Sequence, residues 1–123
     1  MPKPTDSELE ILQILWEKGP STVKEVNEVL NLKRKVGYTT TLKIMQIMAE
    51  KDILTRELLN RSHIYSPVEK PEHIRKSVVN HLIQTAFNGD TSGLVIQALG
   101  NNKVSANELK EIRKLLDTME DQE

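Results

Sequence analysis

Apolar residues recur at helical spacing along most of the chain, and the breaks in that rhythm divide it into elements. Leu9, Leu12, Leu15 and Trp16 form the first stripe, a spacing that predicts a helix. Thr5 and Glu8 stand ahead of it as a capping box, each side chain satisfying a free backbone N–H of the helix start. The run KGP at 18–20 stops it with a glycine and a proline. A second, shorter helix is expected from Ser21 or Thr22 to about Leu30, with Val23, Val26, Val29 and Leu30 as its buried stripe. A third is expected from near Tyr38 to about Lys51. Its polar positions Thr39, Lys43, Gln46 and Glu50 fall on one face, and Leu42, Met45, Met48 and Ala49 on the other.

The period then changes. Residues 53–58 and 63–67 read as short strands around a polar tip at 59–62, with Pro67 closing the second. Three short helices followed by a hairpin make the winged form of a helix-turn-helix, unless the hairpin is simply a hairpin. The fold class expected is therefore mainly α: a winged helix-turn-helix over residues 1–68 and a helical region over 69–123. In that second region Pro71 suits the first turn of a helix reaching about Phe87, with Ile74, Val78, Leu82 and Ile83 apolar. Asn88, Gly89 and Asp90 make a turn. A shorter helix near 92–99 contains Leu94, and a last one opens on a second capping box, Ser105 with Glu108. The stripe of that helix is Leu109, Ile112, Leu115, Leu116 and Met119. Three amphipathic helices in roughly 55 residues bury too little surface to stand alone. A second copy of the chain is the simplest cover, so a homodimer is expected through Ile74, Val78, Leu82, Leu94, Leu109, Ile112, Leu115 and Leu116.

Composition narrows the chemistry. With 37% apolar and 28% charged residues the chain suits a soluble folded protein, and its 3% aromatic content leaves the core to Leu, Ile, Val and Met. There is no apolar run of bilayer length and no charged-then-apolar leader, so a cytoplasmic location without membrane insertion is expected. The absence of cysteine removes disulfides and thiolate sites. His63, His73 and His81 are too scattered to promise a metal, and no phosphate loop, H-E-x-x-H or nucleophile elbow is present. Neither catalysis, metal nor cofactor is expected.

Charge is uneven beneath a net −1. Residues 33–61 hold seven Lys or Arg against three acids, whereas residues 68–123 hold seven against nine. A basic segment is either a solvated surface or a footprint for a polyanion. Duplex DNA uses what is here. Threonine hydroxyls and methyls suit base edges in the major groove, and Lys43 suits a base or a phosphate. Lys33, Arg34 and Lys35 precede the third helix as backbone clamps, and Tyr38 at its entrance either bonds a phosphate or packs. Arg61 at the hairpin tip suits a phosphate or the minor groove. The plain alternative is a helix packed on its two neighbours, with Thr39 and Thr40 as caps facing water.

The stretches SELEILQILWEKGPSTVKEV, GYTTTLKIMQIMAEKDILTRE and RSHIYSPV carry a resemblance to the penicillinase repressor family (the BlaI, MecI and CopY repressors). The likeness runs nearly end to end, and SGLVIQAL with NELKEIRKLLDTM is similar to the family's dimerisation region. It implies a dimeric winged-helix repressor on palindromic double-stranded operator DNA. The recognition positions would be Tyr38, Thr39, Thr40 and Lys43, supported by Lys35, with Arg61 as the wing contact. In antibiotic-sensing members a membrane-bound sensor metalloprotease of the BlaR/MecR kind is upstream, and the repressor is cut in its C-terminal region. Staphylococcal relatives are cut at an Asn–Phe bond; Gln97–Ala98 stands at the matching point here. The copper-responsive branch carries a cysteine cluster that this chain lacks, and Ile47 replaces an arginine common later in the recognition helix. The rival reading is a winged-helix module that binds protein and not DNA.

Overall fold

Among residues 3–122, which the computed structural model describes, six helices and one hairpin follow in the order α1 (Asp6–Lys18), α2 (Val23–Leu30), α3 (Tyr38–Glu50), β1 (Leu54–Leu59), β2 (Ser62–Pro67), α4 (Pro71–Thr85), α5 (Thr91–Asn101) and α6 (Ala106–Asp121). The fold is the expected one, mainly helical with a two-stranded antiparallel wing. Both expected capping boxes form, Thr5 with Glu8 and Ser105 with Glu108, and Thr22 with Glu25 adds a third at the start of α2. Thr22 is thus the cap. Ser21 is buried instead, and its backbone exchanges two hydrogen bonds with Tyr65 of β2, at 3.1 and 2.8 Å. That bridge ties the base of the wing to the turn between α1 and α2.

The turn into the wing is set by backbone chemistry. Asp52 follows α3 in the left-handed region (φ 62°), the Ile53 N–H reaches the Met48 carbonyl at 2.9 Å and the Asp52 N–H reaches Ala49 at 3.1 Å. This pair of bonds is a Schellman motif, with Ile53 and Met48 buried as its apolar clasp. The strands pair from Leu54↔Pro67 to Leu59↔Ser62. The loop is therefore only Asn60–Arg61, shorter than the polar tip expected from the sequence. Both residues have positive φ, 49° and 69°, as a type I′ turn requires. Asparagine tolerates that region; arginine is strained there, where glycine would be at ease.

The chain divides into two compact units, Met1–Val79 and Asn80–Glu123, and the division falls within α4. The first has a closed core of Ile11, Leu12, Leu15, Val26, Met45, Met48, Leu54 and Tyr65 with their neighbours. Ile74 belongs to this core at 2% exposure, and Val78 packs against it. The Trp16 indole N–H donates to the Glu69 carbonyl at 3.3 Å, and the Arg75 guanidinium lies 5.8 Å from the centre of the Trp16 ring. The first turns of α4 are thus fastened to the winged helix. In the second unit α4 stops at Thr85, before Phe87, because Asn88 and Gly89 turn left-handed and the Gly89 N–H bonds the Ile83 carbonyl at 2.9 Å. Asp90 caps α5, and its carboxyl is held below the ordinary value by the Gly93 N–H and the Ser92 hydroxyl. Neither α5 nor α6 contains a buried residue.

Between α2 and α3 the loop is stitched by two asparagines. The Asn31 amide donates to the Val36 carbonyl at 2.9 Å, and its oxygen accepts the Val36 N–H at 3.1 Å. The Asn27 amide donates to the Val36 carbonyl at 3.1 Å and to the Thr41 hydroxyl at 2.8 Å. Thr41 is fully buried, and its remaining bond, to the Gly37 carbonyl, is long at 3.5 Å. Asn27 is therefore the close partner of a buried hydroxyl, and Asn27→Ala is expected to lower stability by about 1–3 kcal/mol in urea unfolding. In a Thr41→Val background the same change should cost less, and equal costs in both backgrounds would show the pair to be uncoupled.

Candidate nucleic-acid interface

The first turn of α3 is built open. Its N-cap is Gly37, with extended φ and ψ of −69° and 147° and no side-chain hydrogen bond to the helix. Thr39 and Thr40 are therefore not caps; both point to solvent. The first backbone bond into the helix runs from the Thr41 N–H to the Gly37 carbonyl at 3.2 Å. The N–H groups of Tyr38, Thr39 and Thr40 precede it, lack acceptors within the helix, and carry its positive dipole end. No acidic residue lies in that turn to neutralise it. Such an end suits an anion such as phosphate.

Beyond that turn the exposed ridge continues through Lys43, Gln46 and Glu50, with Ile47 beside Gln46. The opposite face, Thr41, Met45 and Met48, is buried. The three threonines thus do not act together. Thr41 lies at i, i+4, i+7 with the two methionines, a spacing already present in the sequence, and it turns inward. Tyr38 is half exposed at the helix entrance.

Two of the seven basic groups in this region are engaged within the chain. Arg34 forms a two-pronged pair with Glu10 at 2.6 and 2.7 Å. The Arg34 hydrogen bond holds the Glu10 carboxyl below its ordinary value, and the same bond raises the guanidinium. Lys51 meets the buried Glu8 carboxylate at 3.0 and 3.2 Å, the same carboxylate that caps α1. Lys33, Lys35, Lys43, Arg56 and Arg61 form no ion pair among the described residues. Lys35 lines a shallow cleft with Thr40, Gly37 and Ile44. On the wing side Tyr38 and Arg61, far apart in sequence, line one open cleft with Lys24, Ser62 and His63.

The remaining candidates lie elsewhere. Leu82, Leu109, Leu115 and Leu116 are exposed, Leu94 and Ile112 are half-buried, and Ile74 and Val78 pack in the winged-helix core. Gln97 and Ala98 are exposed on α5. His63 stacks edge-on to Tyr65, and His73 bonds Glu69 at 2.8 Å. Among the described residues no three His, Cys, Asp or Glu side chains gather as a metal site, and no helix is long and apolar enough to cross a membrane. Sequence reasoning missed Lys24 and the pairing of Arg34. Only the position of Lys24 in the first turn of a helix-turn-helix element hinted at its place.

Comparison with known proteins fits this architecture. The penicillinase repressor family matches residues 4–118. The transcriptional regulator BlaI of Mycobacterium tuberculosis is 28% identical over 117 residues, covering 94% of this chain and 83% of that protein. A penicillinase repressor of Bacillus licheniformis is 23% identical over 119 residues, covering 95% and 91%. Among solved structures, a MarR family protein from Bacillus stearothermophilus shares the fold with a TM-score of 0.54 at 19% identity, covering 97% of this chain and 74% of that one. These relatives indicate a transcriptional repressor of the BlaI/MecI kind, in a family that is not enzymatic. With its match running almost from end to end, the chain belongs to the penicillinase repressor family.

Proposed function

We propose that the protein represses transcription by binding duplex operator DNA as a homodimer, α3 of each copy entering a major groove of a palindromic site. The carrying observation is the open, positively poled start of α3, from which exposed Thr39, Thr40 and Lys43 project without a capping or packing duty. Tyr38, Lys35 and Arg61 flank it and suit phosphates, which fix register without choosing sequence. Two such helices would sit about 34 Å apart, one helical turn of DNA.

The partner copy is assigned to the second unit. Leu82 of α4 and Leu109, Leu115, Leu116 and Met119 of α6 are large apolar side chains left at the surface, and α6 buries nothing of its own. Exposed stripes of this length mark an interface. Ile74 takes no part, since the winged-helix core already encloses it. Derepression is assigned to a sensor metalloprotease pathway acting at Gln97–Ala98. That bond lies inside α5, so cleavage needs the helix to open first, which is easiest in a copy whose partner has let go.

Three outcomes test the reading. Lys43→Ala should weaken binding to a DNA fragment from upstream of the gene by roughly 1–3 kcal/mol if it reaches a base, with no change in thermal stability. Arg61→Gly should stabilise the fold by about 1 kcal/mol by relieving the left-handed turn, and so raise the melting temperature, while lowering the slope of log K against log salt by about one. A stabilised variant with an unchanged slope would remove Arg61 from the interface. Leu116→Asp should sediment as a monomer and lose most of its affinity for a palindrome, because each half alone forfeits the linked second contact. A dimeric Leu116→Asp would place the pairing surface elsewhere.

A further inference from the structure

Within α3, Ile47 is out of character with its surroundings. The helix turns Met45 and Met48 fully inward, yet leaves Ile47 at 37% exposure on the same side as Thr40, Lys43 and Gln46. Thr40, Lys43 and Ile47 are spaced i, i+3, i+7, so the three form one continuous row along the helix. The row begins at the open helix start and stops short of Glu50, whose negative charge would be repelled by phosphates. Within these limits the surface offers hydroxyls, one ammonium, one amide and one branched hydrocarbon.

We infer that Ile47 reads a thymine methyl group in the major groove and is a specificity-determining residue of this protein. The inference rests on the DNA-binding function proposed above and deepens it. A hydrocarbon cannot hydrogen-bond a base edge or bind a phosphate. The feature of the major groove that it matches is the C5 methyl of thymine, which no other standard base carries. Ile47 has the geometry for it: a β-branched side chain is stiff at its first torsion, so its methyl groups are presented in a fixed direction. Ile47 lies seven residues beyond Thr40, about 10 Å along the same face of α3, a span that a helix lying along the major groove can lay against base edges.

The test replaces the methyl alone. The full-length protein is first used to select its binding site from a random duplex library. Each thymine of the selected site is then exchanged for deoxyuridine, which keeps every hydrogen-bonding group and removes only the C5 methyl. One thymine per half-site should prove sensitive, weakening wild-type binding by about 4-fold, the worth of one buried methyl. Ile47→Ala should bind the thymine site more weakly and be indifferent to uracil at that position, while Ile47→Val should keep part of the discrimination. Thermal melting of both variants should stay close to wild type, since the side chain lies outside the buried core. Selection that enriches no sequence would overturn the DNA-binding reading and this inference with it. A selected site whose uracil series is flat, or is unaltered by Ile47→Ala, would overturn the role of Ile47 and leave DNA binding standing.

Discussion

The Asn27 amide, reaching across to the buried hydroxyl of Thr41, is the contact on which the presentation of α3 depends. A helix whose start has no side-chain cap must be held in place by something else. Here one amide group grips both the loop, at the Val36 carbonyl, and the first turn of α3. Asn31 holds Val36 from both its N–H and its carbonyl. The Val36 N–H and carbonyl thus find partners on α2 and its C-terminal cap Asn31, and the outer side of α3 is left without a structural duty. Met45 and Met48 complete the seating from the apolar side. Fixing the helix by its inner face is what frees the outer one.

Charge is organised by the same logic. Acids that would weaken attraction to a polyanion are tied to specific cations, Glu10 to Arg34 and Glu8 to Lys51. The exposed Glu10–Arg34 pair adds little stability, and Lys51 balances a carboxylate that is itself buried. Their effect is on the field: the cations that remain near α3 and the wing, Lys35, Lys43 and Arg61, are not neutralised by a close acid. The net charge of −1 conceals this. The wing follows suit. Its base is fastened to Ser21 by two backbone bonds and its tip holds an arginine in a backbone conformation that glycine would adopt at lower cost. Strain kept at an exposed tip is a common mark of a functional position.

Much of this was legible in the sequence, and the reasons differ by element. Capping boxes, stop signals and 3.6-residue stripes are local, so α1 and α3 were placed nearly to their ends and α6 at its start. The exposed positions of Thr39, Lys43, Gln46 and Glu50 followed from the same periodicity. The inward turn of Thr41 was also written in its spacing to Met45 and Met48, but a hydroxyl reads as polar until its partner is known, and that partner lies fourteen residues away in α2. The Ser21–Tyr65 bridge, the Glu10–Arg34 pair and the cleft shared by Tyr38 and Arg61 are products of tertiary approach, which periodicity does not encode. Ile74 illustrates the limit from the other side. Its stripe was recognised, but an apolar stripe does not say whether its cover comes from the same chain or another.

The bare surfaces of α5 and α6 have one more consequence. Helices that bury no residue of their own borrow their order from whatever covers them. If a second copy supplies the cover, as proposed, the concentration of paired repressor rises with its cellular abundance faster than in simple proportion. Occupancy of an operator would then respond to synthesis rate more steeply than for a monomer, and a fall in supply would lower it by more than its own proportion.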